Sequence, residues 1–118
     1  MSSSDATLID DGYTRNVRIN AVPRLHGQLD FVFRPASLSE RSTYNREVRA
    51  KPPEKDYEPG VELIVRKIAK WSIGPDKPTK EQVMRMHPQL YSRVLDCVLG
   101  YVAPDEDLEE SGAGNSGN

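Results

Sequence analysis

A chain of 118 residues can build one modest core, and with 36% apolar against 29% charged residues it sits near the boundary between globular and disordered chains. The formal charge of −2 divides unevenly, because residues 1–103 hold 16 basic and 13 acidic side chains whereas residues 104–118 hold five acids and no base. A core excess of +3 without a basic stripe argues against a nucleic-acid partner, the single Cys97 excludes an intrachain disulfide, and no apolar run approaches the ~20 residues of a membrane span.

Residues 1–12 are rich in Ser and Asp, offer little to bury and carry no basic and apolar leader, so a disordered end and a cytosolic location are expected. From Thr14 the sequence alternates, with Val17, Ile19 and Ala21 against Asn16, Arg18 and Asn20, which predicts a half-buried strand over about 14–22. A break containing Pro23 and Gly27 leads to a second alternation at Leu29, Phe31 and Phe33, predicting a strand over about 28–34. The two form an antiparallel hairpin, marginal alone, whose apolar face must rest on helices.

Pro35 closes the second strand, and Ser37-Leu-Ser-Glu40 has the spacing of a capping box that opens a helix over about 38–50. Its apolar stripe of Leu38, Tyr44 and Val48 is thin, placing it at the edge of the core, and Lys51-Pro-Pro ends it. The strongest periodicity follows at Tyr57, Val61, Ile64, Val65, Ile68 and Trp71, with spacings of 4, 3, 1, 3 and 3, which predicts a helix over about 57–72 with an exposed Glu62–Arg66 pair. Gly74-Pro75 interrupts the chain before a second capping box, Thr79-Lys-Glu-Gln82, starts a short helix over about 80–86. Pro88 occupies a favoured first helical position, and Leu90, Tyr91, Val94, Leu95, Val98, Leu99 and Val102 predict a deeply buried helix over about 88–102. Residues 104–118, acidic and then rich in Gly, Ser and Asn, are expected to be disordered.

Chemistry is sparse along this sequence. His26 and His87 belong to no zinc-ligand spacing, although His87 can cap the last helix, and Cys97 lies among valines on a helix where it reads as a small hydrophobe. The tail acids lack the fixed geometry of a metal cage, so no metal and no cofactor is expected. Arg41, Arg46, Arg49, Lys51 and Lys55 form a basic stretch that reads as a solvated face or as a contact for an acidic partner, interleaved with Glu40, Glu47 and Glu54. Tyr57 and Trp71 read as core anchors or as aromatic hot spots of an interface, with the surface near Trp71 the first place to seek a partner.

From about Leu29 to Val102, roughly two-thirds of the chain, the sequence resembles a family of small bacteriophage tail assembly chaperones. The stretch FVFRPASLSERSTYNREV resembles that family's strand leading into an Arg-Pro-Leu-Ser-type helix start, VELIVRKIAKWSI its helix ending in Trp and a short apolar residue, and PTKEQVMRMHPQLYSRVLDCVLG its Thr-Xaa-Glu-Xaa followed by Pro and a Leu-Tyr helix. The chain departs from the pattern at Ala36, where Leu is usual, and at the Pro-rich break after Lys51. The resemblance implies a non-enzymatic protein of the host cell cytoplasm that binds the long helical tape measure protein, keeps it soluble, promotes assembly of tail tube subunits around it and is absent from the virion. A longer frameshifted form is common in such families. The alternative is a structural virion component, such as a tail completion or head-tail joining protein. The expected architecture is an α+β domain over 13–103 in which an N-terminal β-hairpin packs on three or four α-helices, with disordered ends and with homo-oligomerisation as a route to added stability. The partner-binding candidates are Trp71, Tyr57, Arg41 and Tyr91.

Overall fold

The alternating residues of the N-terminal half do make the expected hairpin. In the computed structural model, which describes residues 13–74 and 76–108, β1 (Arg15–Ile19) pairs antiparallel with β2 (Leu29–Phe33), with Val17 opposite Phe31 and Ile19 opposite Leu29. Val17, Ile19, Leu29, Phe31 and Phe33 are buried on one face, while Asn16, Arg18, Asp30 and Val32 lie on the other. Both strands are shorter than predicted because the chain turns at Val22, whose amide and carbonyl bond His26, and Arg24 adopts a left-handed φ of 67° after Pro23.

The fold is α+β, with four helices against an antiparallel sheet of four strands, ordered β3-β2-β1-β4. Two strands beyond the expected hairpin account for the main corrections. The helix predicted over 57–72 is α2 (Glu58–Lys67) followed directly by β3 (Ile68–Trp71), which pairs antiparallel with β2. Ile68 and Trp71 are three apart, a helical spacing, yet in the strand both are buried while Ala69 and Lys70 are exposed. A bulge at Ala69 accounts for this, since an extra residue in one strand restores i and i+3 to the same face.

The second addition is β4 (Glu106–Asp107), which pairs antiparallel with β1, so residues 105–108 of the segment expected to be disordered are docked on the sheet. Residues 109–118, like residues 1–12 and Pro75, lie outside the described residues.

The helices follow their caps. Ser37 and Glu40 close the capping box of α1 (Leu38–Ala50), and Thr79 and Gln82 that of α3 (Lys80–Met84), which ends two residues earlier than predicted. No residue of α1 is buried, as its thin stripe implied, but Leu38 faces solvent at 79% exposure instead of packing. A 3₁₀ turn, Pro53–Lys55, links α1 to α2. Glu62 approaches Lys80 at 3.8 Å rather than pairing with Arg66. Helix α4 (Pro88–Leu99) stops before the predicted Val102 because Gly100, at φ 84°, reverses the chain, with the Tyr101 amide bonding the Asp96 carbonyl. A left-handed glycine at that place satisfies the last carbonyls of a helix.

One core joins the inner sheet face to α2, α3 and α4 through Val61, Leu63, Ile64, Val83, Leu90, Val94, Leu95, Val98 and Leu99. Lys67 is the one charged side chain buried among the described residues, and its ammonium lies 2.8 Å from Glu40, tying α1 to the end of α2.

Candidate functional site

Helix α2 begins with Glu58-Pro59-Gly60, and the missing side chain at Gly60 sets the geometry beside it. A Cβ there would fall on the Tyr91 hydroxyl and stand 3.1 Å from Leu95 Cδ2, so glycine lets the Tyr91 ring of α4 lie across the start of α2. The Tyr91 hydroxyl reaches the Tyr57 carbonyl at 3.5 Å, a long contact that nonetheless orients the ring. Burial pushes this hydroxyl's pKa up to about 12, so it remains a proton donor at physiological pH.

Below that bridge, α3 and the turn before α4 complete an open, largely apolar groove of about 200 Å³ lined by Tyr57, Val61, Val83, Met84, Met86, Pro88 and Tyr91. The capping box of Thr79 fixes α3 on one side. On the other, His87 Nδ1 accepts from the Gln89 amide at 3.2 Å and Pro88 starts α4, so His87 does cap that helix. Tyr57 and Met84 are exposed at 41% and 52%, although neighbouring Val61 and Val83 are buried. Small-molecule sites usually enclose ~300–1,000 Å³. This groove is smaller and open, and suits one or two apolar side chains offered by another helix.

Of the four candidates, the structure brings Tyr57 and Tyr91 together and separates the other two. Trp71 is 3% exposed, opposite Phe31 in the sheet, which removes its side chain from the surface patch expected around it. Arg41 lies across the far end of α4, its guanidinium 4.6 Å from the centre of the Tyr101 ring, whose hydroxyl accepts from Asn45. Eight residues of axial rise from Tyr91 to Leu99 put that end about 12 Å from Tyr91. Arg41 therefore packs as a cation on an aromatic face at a helix C-terminus, a stabilising placement for positive charge.

Met84, Met86, Val61, Val83 and Pro88 were not among the candidates. Their one sequence signal is the pair of methionines around a short helix, a residue type suited to adaptable binding surfaces.

Nucleophilic chemistry finds no support at Cys97, which is buried and whose thiol is pushed up to about 11 by that burial. His26 and His87 come near each other, with ring centres 6.2 Å apart, but Nδ1 of His26 lies 2.9 Å from the Gly27 carbonyl and Nδ1 of His87 serves the helix cap. Among the described residues no group of three or more His, Cys, Asp or Glu is placed to hold a metal ion, and no helix is long and apolar enough to cross a membrane. Compared with protein-family models, with curated proteins and with solved structures, the chain matches none.

Proposed function

We propose that this protein is a non-enzymatic tail assembly chaperone of a long-tailed bacteriophage, which binds an apolar helical face of the tape measure protein in the host cell cytoplasm and yields it to the assembling tail tube. The observation that carries the reading is the groove formed by Tyr57, Val61, Val83, Met84, Met86, Pro88 and Tyr91, which is apolar, open and lined at its rim by exposed Tyr and Met. An amphipathic helix binds such a groove through anchors at i, i+3 or i+4 spacing. Methionine and tyrosine favour this use, because a flexible thioether and a flat ring adapt to successive turns of a long client. A shallow groove also suits a client that must be released, since affinity is tuned mainly through the rate of dissociation.

Co-expression with the tape measure protein encoded in the same genome tests the proposal, with client solubility and co-purification as readouts. Rescue with a stable complex is expected, and Met84→Glu, at an exposed position, should abolish the complex while leaving thermal stability unchanged. No rescue and no complex with both proteins well expressed would refute it. Recovery of the chain at stoichiometric level in purified particles would instead make it a virion component, such as a tail completion or head-tail joining protein.

A further inference from the structure

Two helix ends leave apolar side chains uncovered around one cation. Leu38, the first residue of α1, is 79% exposed, the most of any large apolar side chain among the described residues, and Tyr101 and Val102, just past the end of α4, are 51% and 45% exposed. Arg41 stands between them. It follows Leu38 by about one helical turn on the same side of α1, and its guanidinium lies 4.6 Å from the centre of the Tyr101 ring. Gly100 leaves room for it, since a Cβ there would stand 3.4 Å from Arg41 Nη2. One further turn along α1, the Asn45 amide donates to the Tyr101 hydroxyl at 3.4 Å and fixes the ring beneath the guanidinium.

The charge of Arg41 is unmet. Arg15, Arg18, Lys67 and Arg93 are the other basic side chains drawn in from full exposure, and each has a carboxylate within 3.2 Å. Among the described residues Arg41 has no carboxylate partner and no side-chain hydrogen bond, and its Nε is buried without an acceptor. The ring face and the C-terminal dipole of α4 attract the cation, but neither accepts one of its N–H groups. A guanidinium stacked on a ring keeps its planar fork in one orientation, and that fork matches a carboxylate through two parallel N–H···O bonds.

We propose that Leu38, Arg41, Tyr101 and Val102 form a docking site for a segment of a protein partner that presents an Asp or Glu side chain between apolar residues. The carboxylate takes the fork of Arg41, and its apolar neighbours cover Leu38 on one side and Val102 on the other. Charge complementarity identifies the acid, and the exposed side chains around Arg41 identify its surroundings. A nucleic-acid backbone suits the site less, because its phosphates gain nothing from Leu38 and Val102 and call for several cations in a row. The site lies at the C-terminal end of α4 and the groove at its N-terminal end, so the proposal does not rest on the chaperone reading.

Selection from a displayed library of random peptides on the full-length protein, followed by fluorescence anisotropy with the selected peptides, tests it. Peptides with Asp or Glu flanked by Leu, Ile, Val or Phe should be enriched. Arg41→Gln should weaken their binding at least about tenfold, and Arg41→Lys, which keeps the charge and loses the fork, should not restore it, whereas Met84→Glu in the groove should leave it unchanged. Leu38→Glu keeps the test decisive should Arg41→Gln unfold, which far-UV circular dichroism reports. It supplies a carboxylate within the chain, in the first turn of α1 and three residues before Arg41, so the melting temperature should rise by at least about 2 °C while peptide binding falls at least about tenfold. A selection without acidic-apolar peptides overturns the proposal, as do selected peptides that bind Arg41→Gln or Leu38→Glu as tightly as the wild type. Arg41-dependent binding of a single-stranded oligonucleotide, used as the phosphate probe, with none of the carboxylate peptides also overturns it.

Discussion

Replacing Trp71 by phenylalanine should cost far less than its burial suggests. The indole is 3% exposed, yet its N–H is buried without an acceptor among the described residues. Trp71→Ala removes the whole ring, and truncations of this kind cost ~3–5 kcal/mol. At ~4–8 °C per kcal/mol for a domain of this size, the melting temperature should fall by roughly 12–40 °C. Trp71→Phe keeps an aromatic ring in the core and deletes two carbons and the nitrogen. At ~0.8 kcal/mol per buried carbon the loss is about 1.6 kcal/mol, and removing a buried unsatisfied donor returns ~1–3 kcal/mol. The two contributions nearly cancel, leaving a net change within about 1.5 kcal/mol of zero. Urea denaturation followed by far-UV circular dichroism is the suitable assay, since Trp71 is the only tryptophan and its fluorescence disappears with the substitution. A loss above about 3 kcal/mol for Trp71→Phe, comparable with the alanine variant, would refute the reasoning by showing that the N–H is satisfied. At temperatures where it is folded, Trp71→Phe should bind client like the wild type, because the side chain is in the core and not in the groove.

Gly60→Ala should destabilise by ~1–3 kcal/mol through the collision with Tyr91, offset in part by the ~1 kcal/mol by which alanine exceeds glycine in a helix. Adding Tyr91→Phe removes the colliding hydroxyl and should restore most of the loss, so a double-mutant cycle that shows no coupling would contradict the geometry. Burial works against ionisation of Glu40, but the hydrogen bond from Lys67 and the Ser37 amide outweigh it and hold the carboxyl below its ordinary 4.5. A depressed carboxylate contributes stability that is complete above 4.5 and is lost as pH falls through the lower folded value, so the urea midpoint should drop on acidification below that point and do so less steeply in Glu40→Gln. Because Glu40→Gln leaves the buried Lys67 ammonium without its counter-charge, it should destabilise at pH 7, whereas Lys67→Met should be close to neutral; equal losses in the two would refute the assignment.

The sequence makes the hairpin and the helix starts legible because those features are local. Alternation at 15–19 and 29–33, the boxes at Ser37 and Thr79 and the proline at 88 each act within a few residues and need no knowledge of the rest of the chain. Strand β3 is not local. The spacing from Ile64 through Ile68 to Trp71 suits a helix, and only the unpaired edge of β2, forty residues earlier in the chain, converts its last turn into a bulged strand. The same holds for β4, where acids that read as a solvated tail acquire partners only when β1 presents Arg15 and Arg18 and α4 presents Arg93.

The groove was half legible for a related reason. Periodicity identifies which residues share a face of one helix, but not how much of that face a neighbour covers. Tyr57 and Val61 lie on the same stripe as Ile64, yet coverage ends at the start of α2, where α3, which stops at Met84, is too short to extend over Tyr57. Trp71 sits on the nominal continuation of that stripe and is wholly covered, because the chain there has left the helix for the sheet. Aromatic residues at helical spacing therefore end in opposite environments, Trp71 as core and Tyr57 as rim, and the difference is made by where α2 stops and how far α3 reaches. For a helix whose apolar face outruns its neighbours, the uncovered end is where a client helix can complete the packing, and the length of the covering element sets how much of the stripe remains for it.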